Sequence, residues 1–272
     1  MNPNRFLIGV MVLMSGLCVY GQDKTAVEER PVTSAWTVGA GSSHLADTYL
    51  TPLKYRGWSS SIGYERMQDT RWWPGVWEMQ LRLGLSLDRA ENPARNATMW
   101  GARLRGSWGM MRRWTMPCGL RLALGPALTA EGGCLYNARN SNNPASAKGA
   151  VTLDVTGYAA YDVKLWRLPV TLRWQPSTAV IGAFFSPEYD ELYYEIYLGN
   201  RSGLVHTAWW GNRFRFDNMV TADLHLGATS VRLGYECDCM TSCVSNITTR
   251  MIAHRFVIGV TTEWISFKRN RR

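Results

Sequence analysis

From Trp77 to Asp88 the chain alternates without a break. Trp77, Met79, Leu81, Leu83, Leu85 and Leu87 interleave with Glu78, Gln80, Arg82, Gly84, Ser86 and Asp88. Successive side chains of a strand point to opposite faces, so this segment has one apolar face and one polar or small face. The pattern returns from Trp100 to Met110, from Leu120 to Ala130 and from Val151 to Leu165. A strand of a soluble protein averages about 5–6 residues, whereas a tilted strand crossing a bilayer needs about 9–11. Runs this long predict an antiparallel strand that spans hydrocarbon, where every backbone group must find its partner inside a closed sheet. A soluble sandwich shows the same alternation, but it does not call for so many long strands with Trp near their ends.

The runs divide the chain into twelve expected strands, with ten and fourteen as the alternatives, at 33–41, 55–66, 76–88, 98–111, 118–130, 150–165, 169–176, 191–198, 203–210, 218–227, 230–237 and 249–265. The expected fold is all-β, an up-and-down transmembrane barrel. With a periplasmic N-terminus, the long connections Ser42–Lys54, Gly132–Gly149, Ser177–Asp190 and Asp238–Thr248 fall outside. The short ones, Arg112–Pro117, Trp166–Leu168, Asn200–Ser202 and Ala228–Thr229, fall inside. Long external loops over short periplasmic turns is the asymmetry of outer-membrane barrels. Trp77, Trp108 and Trp264 are placed near the inner rim, and Trp100, Trp174 and Trp210 near the outer one, as interfacial girdles.

The N-terminus agrees with export. Asn4 and Arg5 precede the apolar run Phe6–Val19, and Gly21 offers a small residue for cleavage before Gln22. Residues 1–21 therefore read as a signal peptide and 22–272 as the barrel domain. Cys18 follows Leu17, where a lipobox requires a small side chain. No later segment is long and apolar enough for a membrane helix. The net charge of +9 raises nucleic acid as a partner. However, an exported chain rarely meets it, and the basic residues are scattered apart from the tail Lys268–Arg272.

The polar face decides what such a barrel does. Arg82, Arg103, Arg105 and Arg121 lie on neighbouring strands and form a candidate basic wall, with Arg173, Arg232 and Arg255 elsewhere. Glu78, Asp154, Glu195 and Asp223 are the leading acidic candidates, joined by Glu65, Asp88, Asp162, Glu236 and Glu263. Mixed signs favour paired networks in a filled lumen, because an unpaired buried charge is costly. An ion-selective path along the basic wall is the alternative. Enzyme chemistry finds little footing. His206 and His254 are followed two residues on by Ala208 and Phe256, so neither has the Ser of an outer-membrane phospholipase. Asp223 and His225 share a face and make one acid–base couple, without a nucleophile placed for it. Cys134, Cys237, Cys239 and Cys243 are all expected in outer loops of an oxidising compartment. Up to two disulfides, free thiols and a metal site remain open there, the last lacking a fourth ligand; Cys118 falls on the other side. The sequons at Asn96 and Asn246 carry no glycan meaning in a bacterial barrel.

Several stretches resemble a Bacteroidetes outer-membrane β-barrel family of unknown function. They are Asp47–Gly57, Gly182–Ile196 with Leu198-Gly199-Asn200, Asn218–Gly227, Leu233-Gly234-Tyr235 and His254–Val260. The resemblance spans nearly the whole mature chain and implies a barrel without assigned chemistry, so it carries no catalytic residue. The C-terminus departs from outer-membrane barrels in general, since Phe267 is followed by Lys268–Arg272 instead of ending the chain. The expectation is a non-catalytic, porin-like outer-membrane barrel of a Gram-negative cell. Its lumen is largely filled, its outer loops meet ligands or surfaces, and both termini are periplasmic. A narrow channel for small solutes and a lipid-active enzyme are the alternatives. Outer-membrane lipid is the expected partner, a monomer is favoured, and no cofactor or metal is called for.

Overall fold

The computed structural model describes residues 30–140, 144–166, 168–187, 198–199, 203–227 and 229–266. Eleven strands are described: β1 (Arg30–Asp47), β2 (Thr51–Asp69), β3 (Trp77–Glu91), β4 (Thr98–Thr115), β5 (Arg121–Asn137), β6 (Ala145–Leu165), β7 (Leu168–Phe185), β8 (Val205–Trp209), β9 (Arg213–His225), β10 (Thr229–Val244) and β11 (Ile247–Ser266). Each of β1 to β7 pairs antiparallel with the next. Beyond β7 the order runs β9, β10, β11, and β11 returns to β1. The sheet therefore closes as a barrel of ten strands, and β8 is an addition. β8 pairs with the upper part of β7, Ile181 to Phe185, while β9 pairs with its lower part, Val170 to Thr178. Both run in the same direction along β7, so together they fill one place in the wall. The interruption is the turn Trp210–Asn212, pinned by the Asn212 side chain on Trp209 N–H and Thr207 C=O.

Among the described residues the ring has ten strands, the lower of the expected alternatives, and not twelve. The expected strand at 203–210 shortens to five residues, about 17 Å of chain, too little to cross a membrane alone. The expected strand at 191–198 falls almost wholly outside the described residues, as does the expected turn at 200–202.

The loop expectations change for one physical reason, which is that the strands overshoot them. Most of Ser42–Lys54, Gly132–Gly149 and Asp238–Thr248 lies in strand, as does Ser177–Phe185. The turn between β10 and β11 is only Ser245-Asn246, both left-handed at φ 45° and 68°, the backbone a tight two-residue hairpin needs. The rim carrying this turn is called the far rim here. The terminal rim is the one where β1 begins and β11 ends.

Alternation holds along the walls. Ile62, Leu83, Leu85, Leu104, Leu128, Val151, Leu153, Val155, Leu172, Val220, Leu233, Phe256 and Ile258 are exposed on the outside, as a lipid-facing band requires. Toward the far rim the outer face turns polar, with the Arg89–Glu91 ion pair at 3.0 Å and exposed Arg250. Trp100 lies near the far rim, and Trp77 and Trp108 lie toward the terminal one. Trp174 pairs with Val220 in the terminal half of β7, not at the outer rim. Trp210 sits in the β8–β9 interruption and donates to the Ala179 carbonyl. The Trp264 side chain lies outside the described residues.

Candidate functional site in the lumen

The inward residues form layers. Nearest the far rim is an apolar layer of Leu45, Tyr55, Ala90, Met99, Leu135, Met240 and Met251, from β1, β2, β3, β4, β5, β10 and β11. Ala150, Phe184 and Ala208 make a second cluster from β6, β7 and β8. The alternation makes these positions inward, and a ring of nearly every strand fills the bore as a core would. The Tyr55 hydroxyl accepts a 3.0 Å bond from Asn137, and Lys148 reaches Asp47 at 2.8 Å. On the outer side of this layer a shallow cup of about 510 Å3 is lined by Leu50, Leu53, Asn92, Asn96, Arg139 and Asn140.

Below it lies a belt of buried ion pairs. Asp238 holds Arg103, Arg105 (3.3 Å) and, more loosely, Arg255 (4.0 Å). Asp217 holds Arg105 at 2.7 Å and Arg215 at 2.9 Å. Glu131 takes Arg105 at 3.2 Å and also Arg213, and Asp154 takes Arg215. Arg255 bridges Glu236 at 3.0 Å and Ser59 at 2.7 Å. One step toward the terminal rim, Glu65 accepts from Arg173 at 3.0 Å, Arg232 at 2.9 Å and Gln80 at 2.8 Å. Arg232 forks onto both oxygens of Asp223 at 2.7 and 2.8 Å. Taking each charge out of water costs several kcal/mol, so close pairing is the condition for holding so many in one bore. Bidentate guanidinium–carboxylate geometry supplies it.

Toward the terminal rim the bore opens into a vestibule of about 560 Å3, reached by Arg113, Arg173, Arg232, Glu78, Asp162 and His225. Glu78 accepts from the Tyr158 hydroxyl at 2.7 Å, and Arg173 stacks over that ring.

Of the expected basic wall, Arg82, Arg103 and Arg105 face this lumen, but Arg121 does not join them. It stands at the terminal rim, half-exposed, on Asp162 at 2.8 Å, because β5 begins there and reaches the level of Arg103 only at Gly133. Among the acidic candidates Asp154 and Asp223 are in the belt, Glu78 lies in the vestibule, and Glu195 is outside the described residues. The Asp223–His225 couple does not form. Arg232 occupies Asp223, and His225 instead meets Thr171 (2.7 Å) and Ser230 (2.8 Å) through its two ring nitrogens. His254 faces outward against the Tyr235 hydroxyl.

Four of the cysteines lie elsewhere than expected. Cys118, Cys134, Cys237, Cys239 and Cys243 are all free. Cys134 is on β5 and the last three on β10, all on strands and not in loops. β5 and β10 are not neighbours in the ring, and a bridge needs Cα atoms within about 7 Å. Among the described residues no group of three or more His, Cys, Asp or Glu converges as a metal site.

Sequence reasoning missed Glu131, Arg213, Arg215, Asp217 and Asp238, the centre of the belt. Glu131 and Asp238 lie just past the expected strand ends at 130 and 237, and Arg213, Arg215 and Asp217 lie ahead of the expected strand start at 218. The signal was present: Arg213, Arg215, Asp217 and Met219 alternate with Phe214, Phe216, Asn218 and Val220.

A closed antiparallel barrel with an apolar outer band and a charged, filled bore is the architecture of outer-membrane β-barrel proteins. The outer membrane protease OmpT from Escherichia coli shares the fold at a TM-score of 0.51 and 8% identity, over 89% of this chain and 99% of that one. The β domain of the Bordetella autotransporter BrkA aligns at 0.44 and 10% identity, over 85% and 98%. No curated protein matches the sequence. The chain belongs to the family described as protein of unknown function (DUF3316), whose model matches residues 6–271.

Proposed function

We propose that the chain is an exported outer-membrane barrel with no catalytic role, closed to solutes, that presents its far rim to ligands or surfaces outside the cell. The signal peptide at 1–21, a periplasmic terminal rim, a monomeric state in outer-membrane lipid and the Bacteroidetes assignment belong to this reading. The observation that carries it is the apolar layer of Leu45, Tyr55, Met99, Leu135, Met240 and Met251. A filled apolar layer offers an ion no replacement for its hydration. The cup lined by Asn92, Asn96, Arg139 and Asn140 above it gives a polar ligand a concave surface. A narrow channel is the second reading, favoured by the vestibule that leads from the terminal rim to Arg173 and Arg232.

A planar-bilayer recording of the refolded full chain tests the choice. The closed reading expects a silent baseline in the native protein. It also expects single-channel steps once Met99→Ala, Leu135→Ala and Met251→Ala are combined. Steady steps from the native protein would sink it.

A further inference from the structure

Inside the ion-pair belt lies a small cavity of about 100 Å3. A bound water needs only about 10–15 Å3 by the same measure, so the space has room for more than one water. Six arginines line it: Arg82, Arg103, Arg105, Arg215, Arg232 and Arg255, against four carboxylates. Each of those carboxylates is already held by at least one arginine. Glu78 and Asp88, inward carboxylates of β3, are not part of the lining.

Three guanidinium groups in this lining have donor capacity left over. Arg82 makes no hydrogen bond or ion pair among the described residues. Its cross-strand neighbour is Glu65, but the Glu65 oxygens go to Arg173, Arg232 and Gln80. Arg103 is 7% exposed and its Nη1 has no partner; Arg255 is 1% exposed and its Nη2 has none. An orphaned, buried charged donor costs more than an ordinary lost hydrogen bond. Two such donors, on β4 and β11, beside the half-buried Arg82 on β3, make this cavity a site short of an anion. Guanidinium forks match the paired oxygens of an oxyanion better than a spherical ion.

We propose that this cavity binds a small oxyanion, of the size and charge of phosphate or sulfate, between Arg82, Arg103 and Arg255. Arg232 lines both the cavity and the terminal-rim vestibule, so the two spaces adjoin across that side chain. The site does not depend on the far rim being closed, so its test and the conductance test fail separately.

Equilibrium dialysis of the folded full chain in detergent against radiolabelled phosphate, at fixed ionic strength, measures it. One equivalent binds per barrel, and phosphate raises the temperature at which the folded gel band converts to the unfolded one. Arg82 makes no hydrogen bond or ion pair among the described residues, so Arg82→Gln folds and weakens binding tenfold or more. Arg82→Lys keeps the charge without the fork and falls between. Arg121→Gln, at the terminal rim, binds as the native chain does. Absence of phosphate binding in the native barrel overturns the proposal, and so does equal binding by Arg82→Gln. Chloride displacing phosphate at equal concentration would make the site a halide site and also overturn it.

Discussion

Asp238 gathers three guanidinium groups, and Arg103 has no other carboxylate partner among the described residues. Asp238→Asn keeps the shape and removes the charge, leaving Arg103 buried and uncompensated. Breaking a buried pair by removing one partner costs about 3–5 kcal/mol. The folded band of this variant is expected to convert at a markedly lower urea concentration than the native band. Arg121→Gln breaks a pair in which both side chains are well exposed, where the median worth is about 0–1 kcal/mol, and its midpoint is expected to stay in place. Equal midpoints for the two would mean that the belt is not what holds the bore together. The contrast comes from burial alone, since both pairs look alike in sequence.

Closure of the ring depends on close approach at the seam of β1 and β11. A Cβ at Gly41 would meet the His254 carbonyl and the Arg255 Cα, whereas one at Gly84 would find nothing within 4 Å. Gly41→Ala is therefore expected to lower the yield of heat-modifiable folded protein on refolding, and Gly84→Ala to leave it unchanged. Loss at both positions would place the sensitivity in strand propensity instead of the seam. The same strands show where sequence reading ends. The period of two in β3, β4, β5 and β6 is plain, and it sets the inward side of Arg82, Arg103, Arg105 and Asp154. What alternation cannot convey is where a strand stops, because polar and small residues near a rim look like loop. Read that way β9 and β10 come out short, and Arg213, Arg215, Asp217 and Asp238 drop from view. Nor does alternation tell a whole strand from an interrupted one, so Val205–Trp209 reads as a crossing. That Arg121 stands away from Arg103 is a matter of register, set only once β4 and β5 are paired.

At the scale of the molecule the two rims carry different thiols. Cys243 is exposed one residue from the end of β10 at the far rim, and Cys118 is exposed in the β4–β5 turn at the terminal rim. With the other cysteines replaced by Ser, a membrane-impermeant maleimide is expected to label Cys243 in intact cells. Cys118 should react only after the outer membrane is permeabilised. The reverse pattern would invert the orientation proposed above.

The overshooting strands have a further consequence. β4 has 18 residues and β6 has 21. At about 3.3 Å per residue and a tilt of about 40°, an 18-residue strand rises about 45 Å, against an apolar band about 25 Å tall. The remainder is free-standing wall, wet outside and, toward the far rim, packed within by Leu45, Met99, Leu135 and Met251. The barrel thus resembles a chimney whose shaft stands clear of the roof. Among the described residues much of that end is hydrogen-bonded sheet instead of loop, and trimming the described connections would leave the shaft standing.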